Sequence, residues 1–513
     1  MPDDVSTIDF VLDGRPVSVS GNGTLLAALR DELGVRSAKD GCAPQGQCGC
    51  CTVWVDGEAR VSCVTPVARV RGRAVTTLEG LDPSTRDAWA RALCDAGGSQ
   101  CGFCTPGIVM RLAASRHVSD DRSEIASSLT AHVCRCTGWQ TIVDAAVSVA
   151  SGVRNTSNRD LEEASRRATL EGRATQRVAP DIALGAGGFA DDTAPEDALV
   201  AILAPSGEWV VAPTVTEARV RAGVVQGRRS TLGRSWPIEP PIDDDFVRTL
   251  VTTWVEPGYL EPDAVWCRPG AEPIGPSVNG GAFGSKMATW LRDEARRLAD
   301  ENGRTMRIVM SREDVVRRGT KRPPLAAGIR ANGSGIVNVR RTPGVADLVR
   351  TIAPEFVVNE IDVPGPPTTL DRRGAVWAEL AVLRASLLDE EWSFVTAPEG
   401  GRAWAKVDDD GVHVRVQCGR PLDDTVLRSY CIGAAHMALG WVRSEGLAVD
   451  ETGTVHDLTM RSFGILRATD TPFVTIEVVA DDSDPVNGSD AVFAAVAAAV
   501  WRRDGWPARW PAR

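Results

Sequence analysis

The sequence predicts an α+β multidomain chain. A β-grasp domain spans residues 1–80, a four-helix bundle 81–150, a linker 151–178 and a longer α+β domain 179–513. Three observations lead there. At 513 residues the chain is long enough for several domains. It is 43% apolar and 24% charged, the balance of a globular protein rather than a disordered one. Near residue 80 the pattern changes from alternating residues with hairpin turns to helical spacing.

Thr7–Leu12 alternates polar and apolar residues, Asp13-Gly14 is a hairpin signal, and Val17–Val19 returns as a second strand. Thr24–Leu33 has helical periodicity and stops at Gly34. After a loop rich in glycine and cysteine, Asp40–Cys51, strands Cys51–Val55 and Ala59–Cys63 flank the turn Asp56-Gly57. Asp87–Cys94, Gly107–Ser115, Glu124–Leu129 and Trp139–Val149 then read as helices, the second entered through Thr105 as N-cap and Pro106 as first helical residue. Residues 151–178 are dense in Arg and Glu and read as a solvated, partly helical linker. From residue 180 strand-like and helical segments mix with many Gly and Pro.

The charge narrows the function classes. With 57 Lys+Arg against 68 Asp+Glu the net charge is −11, so no nucleic-acid partner is expected. No apolar run approaches the roughly 20 residues of a membrane span. The longest, near Ala491–Trp501, suits a buried helix. The acidic N-terminus shows no signal peptide, which makes the cytoplasm the expected compartment.

Thirteen cysteines are present, ten of them before residue 137. Short-spaced groups in such a chain argue for metal ligation over disulfides. The first group is Cys42, Cys48, Cys51 and Cys63, a C-x5-C-x2-C run with a fourth cysteine beyond. This is the plant-type [2Fe–2S] spacing, C-x4-C-x2-C, with one more residue in the loop. Thiolates suit iron as soft anionic donors. Cys50, between two of these, reads as a bystander or an alternate ligand. The second group is Cys101, Cys104, Cys134 and Cys136, a C-x2-C and a C-x-C. Zinc is the alternative for either group. Cys94, Cys267, Cys418 and Cys431 read as buried free thiols.

GCAPQGQCGCCTVWVDG, Cys63, SQCGFCTPG and CRCTGW together resemble the iron–sulfur portion of the xanthine dehydrogenase/aldehyde oxidase family of molybdenum hydroxylases. The resemblance implies two [2Fe–2S] clusters. The β-grasp domain would hold the outer one on Cys42, Cys48, Cys51 and Cys63. The bundle would hold the near one, next to molybdopterin, on Cys101, Cys104, Cys134 and Cys136. Gln100 matches a residue that contacts the pterin in relatives. His132 stands where relatives often have Asn, and Trp139 where they often have Tyr.

The resemblance extends into the second half. GGFADD (187–192), YLEPDAVW (259–266) and NGGAFGSK (279–286) are similar to segments of the molybdenum-binding portion. The last implies that Gly280, Gly281, Phe283 and Gly284 lie against the cofactor, where glycines allow close backbone approach. Arg373-Gly374 echoes an Arg-Gly near the family's active site, although an exposed arginine is the plainer expectation. Asp490 falls where the family carries its general-base glutamate, and could serve as base or cap the alanine-rich helix after Ser489. The stretch from Pro324 to Gly440 is shorter than in the family. No flavin (FAD) domain is evident.

The expectation is therefore an iron–sulfur oxidoreductase with an abridged molybdopterin-binding portion. It would hydroxylate an aldehyde or N-heteroaromatic small molecule oxidatively. Electrons would leave through both clusters to an external acceptor or flavin subunit, within a hetero- or homo-oligomer. The alternative is a non-catalytic electron-transfer or scaffold subunit with a degenerate molybdopterin domain.

Overall fold

Strands β1 (Thr7–Leu12) and β2 (Arg15–Ser20) pair as an antiparallel hairpin, with Ile8 and Phe10 turned inward. The computed structural model in which they are seen describes residues 7–512, apart from residues 43, 115–118, 153–158, 228–229, 278–280, 287–289 and 480. Helix α1 (Leu25–Ala27) starts where the Thr24 side chain accepts the Ala27 amide, then widens into a π turn over Ala28–Glu32. Strands β3 (Thr52–Val55), β4 (Glu58–Val61) and β5 (Ala74–Thr76) complete a five-stranded sheet in the order β2-β1-β5-β3-β4, with β1 and β5 parallel. This mixed sheet is the expected β-grasp arrangement.

Four helices follow, as the periodicity predicts: α2 (Pro83–Ala96), α3 (Thr105–Ala113), α4 (Arg122–Ser128) and α5 (Gln140–Ser151). Asp82 and Asp121 cap α2 and α4 by accepting first-turn amides. The start of α3 lies one residue earlier than expected. Cys104 is its N-cap, so Thr105 is already helical.

The linker differs from expectation. Residues Leu161–Gly172 form α6, capped by Asp160, and one face of it is buried. Ala164, Ala168, Arg167 and Glu171 on that face are 0–1% exposed. A run of Arg and Glu usually marks solvation, but Arg167 and Glu171 stand one turn apart and neutralise each other at 3.0 Å. Arg167 also donates to the carbonyls of Pro421, Arg420 and Val486. Buried charge is tolerated when it is paired and hydrogen-bonded in this way.

Among the described residues the second half contains three sheets. A four-stranded sheet includes Leu199–Leu203 and Met306–Val309, and a five-stranded one includes Phe246–Thr252 and Leu325–Arg330. A second four-stranded sheet includes Arg402–Asp408 and Gly411–Gln417. Helices Asp424–Arg443 and Ser489–Arg503 pack together at the centre. From Ala491 to Trp501 no residue is more than 4% exposed. Alanine suits this helix because it is enclosed all round and its neighbours approach closely. Among the described residues, no helix is long and apolar enough to cross a membrane.

The bundle is docked tightly on this core. A Cβ on Gly433 would stand 1.8 Å from the Cys136 carbonyl oxygen, so only glycine lets helix Asp424–Arg443 approach the C-x-C loop. Beside it, Arg135 forms a two-pronged ion pair with Glu445 at 2.6 and 2.7 Å.

Candidate metal centres and the adjoining cleft

The first cysteine group is assembled by the β3–β4 hairpin. Thr52 pairs with Val61, which puts Cys51 and Cys63 at the same end of the two strands. The Cys63 amide donates to the Cys51 sulfur at 3.4 Å, and the Gln47 amide to the Cys42 sulfur at 3.4 Å. Cys42, Cys48, Cys51 and Cys63 are 1–2% exposed. The Cys42 thiol is held well below the usual thiol range, chiefly by hydrogen bonding with Cys48 and then Cys63. Burial pushes the Cys50 thiol up, which keeps it protonated, and its sulfur lies 3.8 Å from the Cys48 carbonyl oxygen.

The second group gathers at the starts of α3 and α5. Cys136 and Cys101 bring their sulfurs to 3.5 Å. Cys104 and Cys134 form the other pair, and hydrogen bonding with Cys104 lowers the Cys134 thiol to about 6. The Thr137 hydroxyl lies 3.2 Å from the Cys134 sulfur. A thiolate is the form that binds metal. Among the described residues, no three His, Cys, Asp or Glu side chains are placed to hold one metal ion together. A two-iron cluster, with two thiolates to each iron, does not ask for that. Two buried sets of four thiols, each with amide or hydroxyl donors to sulfur, fit two such clusters.

The two groups touch. The Val133 amide, next to Cys134, donates to the Cys48 carbonyl at 3.0 Å. His132 lies over Gly49, its Nε2 3.3 Å from both the Thr52 hydroxyl and the Gly107 carbonyl oxygen. Burial lowers His132 to about 4, and lowers His436, 3.1 Å from the Leu466 carbonyl oxygen, to about 4 as well. Both are therefore neutral in the folded chain between pH 4 and 6.5, whereas the unfolded chain takes up protons as pH falls below 6.5. Stability is expected to fall as pH drops through that window. The loss is on the order of 3 kcal/mol per histidine at about 1.4 kcal/mol per pH unit. Urea unfolding between pH 4 and 7 reads this, and His132→Asn should flatten the acid limb. An unchanged acid limb in that variant would count against the assignment.

The residues expected at a pterin also come together. Gln100 donates from Nε2 to the Ser429 hydroxyl at 2.9 Å, and its buried Oε1 has no partner among the described residues. Gly281, Phe283 and Gly284 form a buried or half-buried turn, while Gly280 lies outside the described residues. Gly284 has φ +86°, and a Cβ there would stand 1.9 Å from the Asp371 carbonyl oxygen. Lys286 at the end of this motif meets Glu261 of the YLEPDAVW segment at 2.7 Å, and burial raises Glu261 to about 7.

Arg373 is not an exposed arginine. It is 1% exposed, lies over the Phe283 ring at 3.8 Å, and donates through Nε to Asp490 at 2.8 Å. Pairing, together with a bond to the Ser489 hydroxyl, satisfies a guanidinium in the interior. Asp490 does not cap its helix. It lies inside the first turn, and its second oxygen accepts from Arg173. Glu171 takes the capping place instead, accepting the Gly488 and Ser489 amides at 3.1 and 2.8 Å. Each Asp490 oxygen thus accepts from one arginine.

A small cavity adjoins Gln100 and Tyr430. Ala168 of α6, with Gln176 and Val178, lines it on one side. The cavity measures about 10 Å³, enough for one water.

Sequence reasoning missed several of these groups. Arg30 and Lys39 pair with Asp191 and Asp192 of the GGFADD segment, the first at 2.6 Å. Tyr430, Glu445 and Glu171 carry no local motif.

The comparisons agree with this geometry. Residues 77–147 match the family described as "[2Fe-2S] binding domain". The chain is 37% identical over 140 residues to the isoquinoline 1-oxidoreductase subunit alpha of Brevundimonas diminuta, covering 26% of this chain and 91% of that one. It is 40% identical over 144 residues to the xanthine dehydrogenase iron-sulfur-binding subunit of Escherichia coli O157:H7, covering 27% of this chain and 90% of that one. The fold as a whole is similar to the aldehyde oxidoreductase of Desulfovibrio desulfuricans, with a TM-score of 0.70 at 15% identity over 96% of this chain and 97% of that one. With its iron–sulfur segment matched along nearly the full length of those relatives, the chain belongs to the xanthine dehydrogenase/aldehyde oxidase family of molybdenum hydroxylases and is an oxidoreductase of that type.

Proposed function

We propose that the chain passes electrons, one at a time, from the oxidative hydroxylation of an aldehyde or N-heteroaromatic carbon to an external acceptor through two [2Fe–2S] clusters. Cys42, Cys48, Cys51 and Cys63 hold the outer cluster, and Cys101, Cys104, Cys134 and Cys136 the near one. The observation that carries this reading is the pair of buried four-thiol sets joined by the Val133–Cys48 hydrogen bond. Burial excludes water from both sets, and the amide and hydroxyl donors stabilise charge on sulfur. On this reading the chain divides near residues 80, 150 and 178. The acceptor is a separate subunit or soluble molecule, as the subunit names of the two relatives suggest. The convergence of Gln100, Gly281, Phe283, Gly284 and Asp490 supports a cofactor cleft in the second half.

A second reading, a non-catalytic electron-transfer or scaffold subunit, is favoured by Asp490, which stands where the family carries its general-base glutamate and is paired with Arg373 and Arg173. Metal analysis of anaerobically purified protein separates the two. About four iron atoms per chain are expected, with visible absorption bleached by dithionite. Near-stoichiometric molybdenum supports the hydroxylase. Iron without molybdenum, from a host that makes the cofactor, supports the second reading. A colourless, iron-free chain removes both.

A further inference from the structure

Helix Asp424–Arg443 carries Tyr430, one of two tyrosines in the chain. Its side chain is 2% exposed, and its hydroxyl has no hydrogen-bond partner among the described residues. A buried phenol ordinarily finds one. Neighbours on the helix define where the ring lies. One residue earlier, Ser429 accepts from Gln100, which directly precedes Cys101. One turn later, Gly433 lies against the Cys136 carbonyl. The ring stands edge-on to Phe283 at 6.4 Å, between the second cysteine group and the cleft. Burial first, and then the charges of Cys136 and Cys101, raise the phenol well above its ordinary ionisation, so it keeps its proton. At the opposite side of the group, Cys134 already has a hydroxyl neighbour in Thr137. On the Cys101–Cys136 side the Cys101 backbone amide donates to the Cys136 sulfur, and the unpartnered phenol is the hydroxyl nearby.

We propose that the Tyr430 hydroxyl donates a hydrogen bond to a sulfur of the cluster held by Cys101, Cys104, Cys134 and Cys136, and thereby raises that cluster's reduction potential. The inference rests on the iron–sulfur reading above. One-electron reduction adds negative charge to the cluster. A donor aimed at sulfur therefore stabilises the reduced form more than the oxidised one. Tyr430 is a positioning and tuning residue here, not a ligand.

The test uses the full chain with its clusters and the Tyr430→Phe variant, which keeps the ring and removes the donor. Iron is counted first: an iron-free wild type overturns the reading beneath the inference, not the inference alone. With both clusters present, a redox titration followed by electron paramagnetic resonance is expected to show one potential lowered and the other unchanged. The expected shift is about tenfold in the reduction equilibrium constant, or 59 mV for one electron. Two unchanged potentials overturn the proposal, and so does a donor water from the 10 Å³ cavity, seen as an exchangeable-proton coupling that persists in Tyr430→Phe. If the variant loses iron, protein grown on 3-fluorotyrosine decides the matter, because a more acidic phenol is a stronger donor and should raise the same potential. With only two tyrosines, Tyr259→Phe assigns the effect. A raised potential that survives Tyr259→Phe supports the proposal, and an unchanged one overturns it.

Discussion

A Cys136→Ser chain is expected to hold about two iron atoms where the parent holds about four. Cys136 stands 3.5 Å from Cys101 at the paired end of the second thiol group, so its loss leaves one iron with a single protein thiolate. Serine keeps the shape but offers a hard, protonated hydroxyl in place of a soft anion. The outer set shares no sulfur with this one and should keep its cluster. The variant should also unfold at lower denaturant, because metal bound only by the folded chain contributes to its stability. Cys94→Ser is the control. Cys94 lies on α2, where burial rather than neighbouring thiols raises it, and its loss should leave iron unchanged. Iron assay and reduced-state paramagnetic resonance check both outcomes. An unchanged iron count in Cys136→Ser would remove Cys136 from the ligand set.

Glu445→Ala should cost about 3–5 kcal/mol of stability, the usual consequence of stranding a buried charge. Its partner Arg135 sits between Cys134 and Cys136, and both side chains of the pair are 2% exposed. The guanidinium uses both terminal nitrogens on Glu445 and its Nε on the Pro257 carbonyl at 2.9 Å. The pair thus joins the C-x-C loop to two separate stretches of the second half. Its rupture should loosen that loop and speed iron loss from the second group in particular. Replacing both partners, Arg135→Met with Glu445→Leu, should recover much of the stability, since neither charge is then left behind. Urea midpoints and the rate of iron release to a chelator measure the effect. A single variant within about 1 kcal/mol of the parent would show that water compensates the exposed arginine.

What was legible in the sequence is local. The cysteine spacings mark both thiol groups because ligands on one loop must fall at short intervals, and hairpin signals at Asp13-Gly14 and Asp56-Gly57 place the strands that frame the first group. The same holds for Asp490 and the Phe283 turn, which stand in recognisable motifs. Arg135 and Glu445 are 310 residues apart and carry no motif, so nothing along the chain announces their pairing. Tyr430 is invisible for the same reason. The misreading of α6 is different in kind. A glutamate one turn after an arginine has one pattern whether water or protein surrounds it, and only the enclosure of Arg167 and Glu171 shows which. Arg373 was misjudged likewise, because its partners Asp490 and Phe283 come from distant segments.

The docking of α6 has a consequence for the order of events during synthesis. The groups that receive it are made long after it: Pro421 follows Arg167 by 254 residues, Val486 by 319, and Ser489 follows Glu171 by 318. Until the last 30 or so residues are available, the receiving surface is incomplete and α6 has nowhere to lodge. Contacts across such separations form late, because closing the intervening loop costs entropy before any contact repays it. The seat of α6 is consequently filled last. Glu171 reaches the two amides it caps only after the C-terminal helix has been made.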